Sequence, residues 1–176
     1  MSPSIELLVS KKHDGILPTK GQRTLFTCGE QSLDEYIKIR ASQELKKAIS
    51  TPFVLTEPPE KRVLGYYCLS SYAIEIADLD EPLAKGLPRY PLLPATLLGR
   101  LAVDASCHGK GYGGFLLLDA MRKTLEASKK VASAALVVDA LNDSATRFYR
   151  KHGFKDFPKV PMKLYISMES IGKLDL

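Results

Sequence analysis

The chain has 176 residues, 45% of them hydrophobic and 26% charged, with a formal charge of +5. One domain spanning 1–176, with enough apolar content to bury a core, is the expectation for a soluble protein of this balance. Its three cysteines, Cys28, Cys68 and Cys107, form an odd set without a CxxC pair, which argues for a reducing compartment and against a zinc site.

The N-terminal MSPSIELLVSKKHD lacks the long apolar run of a signal peptide. No segment approaches the roughly 20 consecutive apolar residues of a membrane span, so no membrane partner is expected and the cytoplasm is the default. Residues 32–47 read as a helix, with Ser32 and Glu35 placed as a capping box. Leu33, Tyr36, Ile37 and Ala41 fall on one face of it. Residues 51–56 and 63–76 are rich in β-branched and aromatic side chains and read as strands joined by EPPEKR. Pro82, Pro88, Pro91 and Pro94 make 77–96 an irregular connection with room for one helical turn.

A strand buried on both faces is expected over 97–104, a helix over 113–128 and a buried strand over 133–140. Residues 143–151 read as a helix that ends at His152-Gly153, with Gly153 in a C′ position. A last strand is expected at 162–169. The order describes a mixed α/β domain around one sheet.

Between the strand at 97–104 and its following helix lies HGKGYGG, four glycines in seven residues (His108, Gly109, Lys110, Gly111, Tyr112, Gly113, Gly114). Glycine is costly in a helix, so some gain must offset it. The first amides of a helix lack internal acceptors and sit at the positive end of its dipole. Glycines let a pyrophosphate approach that backbone closely. No Lys-Ser/Thr follows for a P-loop, and the spacing is not that of a dinucleotide-binding GxGxxG.

The stretch RLAVDASCHGKGYGGFLLLDA resembles the signature of the GNAT N-acetyltransferases, with His108 where Gln or Arg is usual. Asn142 through Phe154, NDSATRFYRKHGF, resembles the second motif of that family. The resemblance implies a mostly antiparallel central sheet with flanking helices and an acetyl-CoA cleft. It implies that the loop amides of 108–114 hold the cofactor pyrophosphate and that backbone groups of Leu101, Ala102 and Val103 face the acetyl carbonyl. Asn142 contacts the cofactor or caps its helix, and Ser144 and Phe148 are further cofactor candidates. Phe148 equally suits simple packing, and Ser144 equally suits an N-cap.

Tyr149 is the candidate acid. A phenol with a pKa near 10 is protonated at neutral pH and can donate to a thiolate leaving group. No general base stands out. Asp104 at a strand end suits loop ordering better, and Glu126, Asp139 and Asp143 have no stronger case. An amine of low pKa needs no strong base: an α-amine titrates near ~8 against ~10.4 for lysine.

Phe26-Thr27-Cys28-Gly29, Leu33 to Ile37, Gly65 to Ser70, Arg89-Tyr90-Pro91 and Leu98 to Asp104 resemble one branch of the family. That branch holds the acetyltransferase toxins of bacterial toxin–antitoxin modules. It implies aminoacyl-tRNA as substrate and a ribbon-helix-helix antitoxin as partner, with a homodimer left open. Six cations against one acid between 147 and 163 suit tRNA phosphates, as solvated lysines also would. Arg147, Arg150 and Lys151 are candidates there, Arg89 and Arg100 stand in the branch motif, and Lys38, Lys46 and Lys47 are further candidates. Acetylation of a small amine or a protein lysine, and a non-catalytic acetyl-CoA-binding subunit, remain alternatives from the residues alone.

Overall fold

The computed structural model describes residues 3–7, 20–58, 62–79, 84–85 and 91–174. The described chain opens with β1 (Ser4–Leu7), α1 (Lys20–Thr24) and α2 (Gln31–Glu35). A π-helical turn at Tyr36–Arg40 carries α2 into α3 (Ala41–Lys46). β2 (Thr51–Glu57), β3 (Arg62–Glu75) and β4 (Leu92–Val103) follow. Then come α4 (Tyr112–Ser128), β5 (Ala135–Asp139) and α5 (Asp143–Lys151). β6 (Lys155–Asp156), β7 (Lys163–Ser167) and α6 (Met168–Gly172) complete it.

The strands hydrogen-bond in the order β1-β2-β3-β4-β5-β7-β6. β4 and β5 are parallel, whereas β1–β2, β2–β3, β5–β7 and β6–β7 are antiparallel. This is the mixed, mostly antiparallel sheet expected from the sequence. Among the described residues no helix is long and apolar enough to cross a membrane.

Two compact units are distinguished, Met1–Ser70 with Gly99–Ala120 and Ser71–Leu98 with Met121–Leu176. In the first, the apolar face read at 33, 36, 37 and 41 packs with Phe26, Val54, Val63, Tyr66 and Ala102. Tyr66 meets Phe26 edge-on and stacks with Tyr36, and its hydroxyl donates to the Leu33 carbonyl at 2.7 Å. In the second, Ile74, Ala95, Val137, Phe157 and Tyr165 form the core.

Several boundaries differ from the sequence reading. The first helix starts at Gln31, with Glu30 as N-cap and no side-chain cap, so the Ser32–Glu35 capping box does not form. Ser32 Oγ instead donates to Glu30 Oε1 at 3.1 Å. β4 begins at Leu92, not 97, and accommodates Pro94, whose carbonyl still accepts from the Ala134 amide at 2.8 Å. A proline lacks a donor but keeps its acceptor. Nor is this strand buried on both faces: Ala95, Leu98 and Ala102 are its buried side chains within 92–103. The last strand stops at Ser167, whose hydroxyl caps α6 by accepting from the Ser170 amide. Pro82 and Pro88 of the irregular connection lie outside the described residues, and a 3-10 turn at Ile76–Asp78 supplies the one helical turn.

Candidate functional site

The glycine loop lies in the first unit. At the end of β4, Asp104 binds everything around it. Its carboxylate accepts from the Ser106 amide at 3.1 Å, Ser106 Oγ at 2.6 Å, the Thr27 amide at 3.2 Å and Arg62 Nη2 at 3.0 Å. Its own amide donates to the Leu64 carbonyl, and the next amide, of Ala105, donates to Thr27. Burial alone would raise this carboxyl; the hydrogen bonds from Ser106 and Thr27 and the Arg62 charge outweigh it and hold it below the usual range. Asp104 is therefore a loop anchor rather than a base.

His108 straps the loop back onto its strand, with Nε2 at 2.9 Å from the Val103 carbonyl. A carbonyl only accepts, so Nε2 carries the proton. Gly109 and Gly111 have φ of +77° and +82°. A Cβ at either would meet nothing within 4 Å, so the backbone conformation, not crowding, asks for glycine. Gly113 and Gly114 instead sit in the first turn of α4. Phe115 is the first amide to reach an intrahelical acceptor, the Gly111 carbonyl at 3.1 Å. The amides of Tyr112, Gly113 and Gly114 thus precede the helix's own acceptors, on residues with little or no side chain at two of three positions. That arrangement fits a pyrophosphate. Leu101, Ala102 and Val103 lead into it along β4, and Lys110 is exposed at its tip.

The second motif forms α5 in the second unit, and its pattern is one of caps. Asn142 is the N-cap: Oδ1 accepts from the Ala145 amide at 2.9 Å, and its carbonyl accepts from the Thr146 amide at 3.0 Å. Ser144 is exposed inside the first turn and does not cap. At the other end, the Gly153 amide donates to Arg150 and the Phe154 amide to Tyr149, at 3.0 and 3.2 Å. With Gly153 at φ +88°, these two bonds make a Schellman stop. Phe154 packs its ring 5.4 Å from that of Tyr149. Phe148 rests edge-on to Tyr149 and tilted on His152, whose Nδ1 sits 2.8 Å from the Phe148 carbonyl.

Tyr149 is 8% exposed. Burial pushes its phenol above the ordinary tyrosine value, so the proton stays on Oη throughout the physiological range. Two of the thiols are poor competing nucleophiles. Burial pushes Cys28 up to about 11 and Cys68 up to about 12.

The cation candidates divide. Arg147 and Lys151 are exposed on α5. Arg150 is held by both oxygens of Asp156 at 2.9 Å. Lys163 reaches Tyr72 Oη at 2.6 Å and lies 3.6 Å from Asp139, and Lys159 donates to the Ala77 carbonyl at 2.7 Å. Arg100 lies 3.8 Å above the Tyr36 ring and 3.8 Å from Glu44, so packing holds it in place. Arg89 lies outside the described residues.

Two residues of consequence were not singled out for these roles. A Cβ at Gly65 of β3 would come within 2.8 Å of Leu116 Cδ1 and 2.9 Å of the Ala102 carbonyl, so glycine lets α4 and β4 come this close to β3. A glycine inside an apolar strand run is the available sequence signal. Arg23 is buried beside α2 and α3, and no sequence pattern marks it.

The model of the acetyltransferase (GNAT) domain matches residues 53–156. A protein described as a tRNA-acetylating toxin, from Mycobacterium tuberculosis, is 35% identical over 151 residues, 86% of this chain and 89% of that protein. The solved structure of AtaT complexed with acetyl-methionyl-tRNAfMet superposes with a TM-score of 0.85 at 31% identity, covering 97% of this chain and 98% of that one. A mutant AtaT toxin bound to the C-terminus of the antitoxin AtaR and acetyl-CoA gives 0.74 at 26% identity, covering 97% and 96%.

Proposed function

The chain belongs to the GNAT acetyltransferase family, and from that premise we propose that it is the toxin of a toxin–antitoxin pair. It moves acetyl from acetyl-CoA to the α-amine of aminoacyl-tRNA and thereby blocks translation. The family match spans parts of both compact units, which supports one catalytic domain over residues 1–176.

Acetyl-CoA supplies the acetyl group as an activated thioester. The amides of the loop from His108 to Gly114 bind its pyrophosphate, using the open first turn of α4. Backbone groups of Leu101 to Val103 on β4 orient the acetyl carbonyl. Tyr149 holds on Oη the proton that a thiolate leaving group needs. Phe148 and Asn142 position it, the first by packing and the second by starting α5 in register. Ser144, exposed in the first turn of α5, lies two residues after the Asn142 cap and is a further cofactor contact.

The observation that carries this reading is the double capping of α5 around Tyr149. Both caps and the packing of Phe154 serve to fix one buried, protonated phenol. For the acceptor, the support is the likeness to the tRNA-acetylating toxin and to AtaT with its acetylated tRNA. The α-amine of an aminoacyl ester titrates below lysine, which agrees with a site that offers no evident strong base. Arg147 and Lys151 are exposed on the helix that carries Tyr149 and suit tRNA phosphates. The likeness to AtaT bound by AtaR supports an antitoxin partner, of the ribbon-helix-helix kind. Charged tRNA places the reaction in the cytoplasm.

Cell-free translation tests the reading. Adding the protein with acetyl-CoA should arrest synthesis, and Tyr149→Phe should not. Arrest without acetyl-CoA, or equal arrest by the variant, would contradict it.

A further inference from the structure

We propose that the cavity between Arg23 and the outer side of the π turn and α3 is an anion site that holds a phosphodiester of the tRNA backbone. The assignment rests on the tRNA reading above. The cavity encloses about 200 Å³ and is lined by Arg23, Lys38, Ile39, Ser42, Gln43 and Lys46. Three of these six are cations and none is a carboxylate.

Arg23 is the unusual member. It is 8% exposed, yet among the described residues Nε has no hydrogen-bond partner. Its Nη1 donates to Ser42 Oγ at 2.8 Å and to the Ile37 carbonyl at 3.3 Å. Both acceptors are neutral. Burial lowers the pKa of this guanidinium, and among the described residues no carboxylate is found paired with it. Such a group is costly to bury for packing alone.

The helix around it is built to expose this surface. In the π turn the Ala41 amide donates to Tyr36, five residues back, instead of four. Single wide turns inside helices are frequent at functional sites. Lys38, Ser42 and Lys46 then follow at four-residue spacing, so they rise along one face. Two carboxylates of the same helical stretch have partners of their own, though Asp34 also feels the Lys38 charge. Asp34 accepts from Cys28 and Thr27, and Glu44 faces Tyr36 and Arg100. Two lysines, a hydroxyl and an amide around a buried guanidinium are the donors that a phosphate oxygen requires. Phosphate contacts of this kind position a nucleic acid without reading its sequence.

The test has two arms, on wild type, Arg23→Gln and the double variant Lys38→Glu/Lys46→Glu. The double variant leaves the buried arginine in place should Arg23→Gln fail to fold. The first arm compares thermal unfolding in sodium phosphate and in sodium chloride at equal ionic strength, and needs no tRNA. Phosphate should raise the wild-type melting temperature, and the double variant should lose the gain. In the second arm, KM for charged tRNA should rise about tenfold in the double variant, with a shallower salt dependence and unchanged acetyl-CoA affinity. Unchanged KM in a variant that no longer responds to phosphate would overturn the assignment to tRNA. So would lost antitoxin binding at unchanged KM, which gives the cavity to an acidic protein segment. No phosphate effect on wild type would overturn the anion site itself, and so would a gain that the double variant keeps, which belongs to the 108–114 loop. A wild type whose phosphate gain is lost in the double variant but which acetylates no charged tRNA would overturn the tRNA reading, and this assignment with it, while leaving the anion site intact.

Discussion

Phe154 donates its amide to the Tyr149 carbonyl at 3.2 Å and lays its ring 5.4 Å from the Tyr149 ring. The residue that stops α5 therefore also fixes its tyrosine. The backbone bond sets where the last turn ends, and the ring contact sets what covers the phenol.

Replacing Tyr149 by Phe keeps that packing and removes the proton. Turnover should fall about 10²- to 10⁴-fold, the range for loss of a general acid, with acetyl-CoA affinity unchanged. The phenol also sets a pH expectation. Burial raises it above its ordinary 10.0, and an acid works while protonated, so Tyr149 should cause no alkaline loss of kcat below pH 10.0. Stopped-flow or steady-state rates against pH check both statements.

Gly153 is needed for its φ of +88°, not for space, since the nearest contact to an added Cβ is Ile166 Cδ1 at 3.6 Å. Gly153→Ala should destabilise the fold by about 1 kcal/mol or more, because alanine is strained in the left-handed region. Asn142→Ala should cost about 1 kcal/mol by removing the N-cap. Denaturant titration reads both, and both should lower turnover through Tyr149 more than they alter acetyl-CoA affinity.

Gly111→Asp places a carboxylate at the mouth of the phosphate cradle. Acetyl-CoA binding by calorimetry should weaken at least tenfold, through repulsion and backbone strain at φ +82°. Gly111→Ala, which carries the strain without the charge, should fall between. Wild-type affinity in Gly111→Asp would remove the loop from the cofactor site.

Asp104 links the loop to acid stability. Burial would raise its carboxyl, but hydrogen bonds from Ser106 and Thr27 and the Arg62 charge hold it below its unfolded value. Such a group contributes stability that is fully present above the unfolded pKa, about 3.9, and is lost as pH falls through the lower folded value. Asp104→Asn should lower stability at neutral pH and flatten the part of the acid-unfolding curve below about pH 4. Melting temperatures from pH 2 to 7 distinguish this from a pH-independent loss.

The sequence made the second motif legible because each of its fixed positions has a local cause. Asn142 caps, Gly153 takes positive φ and Phe154 covers Tyr149, all within one helix length. The glycine loop was legible in kind, though its four glycines divide into two conformational and two that open the helix start. Local signals misled at Ser32, where Glu30 two residues earlier takes the cap position, and at Pro94, where a strand tolerates a residue without a donor. Arg23, Gly65 and the pairing of Arg150 with Asp156 were hidden for a different reason. Each depends on what the chain brings alongside, and charge or composition in the sequence does not state a partner.

Acetyl transfer from labelled acetyl-CoA to a mixed pool of charged tRNAs, with uncharged tRNA and Tyr149→Phe as controls, measures the central claim. Label on charged tRNA alone, released by mild ester hydrolysis as an N-acetyl amino acid and absent with the variant, is the expected result. No label on charged tRNA from a protein that binds acetyl-CoA would contradict it.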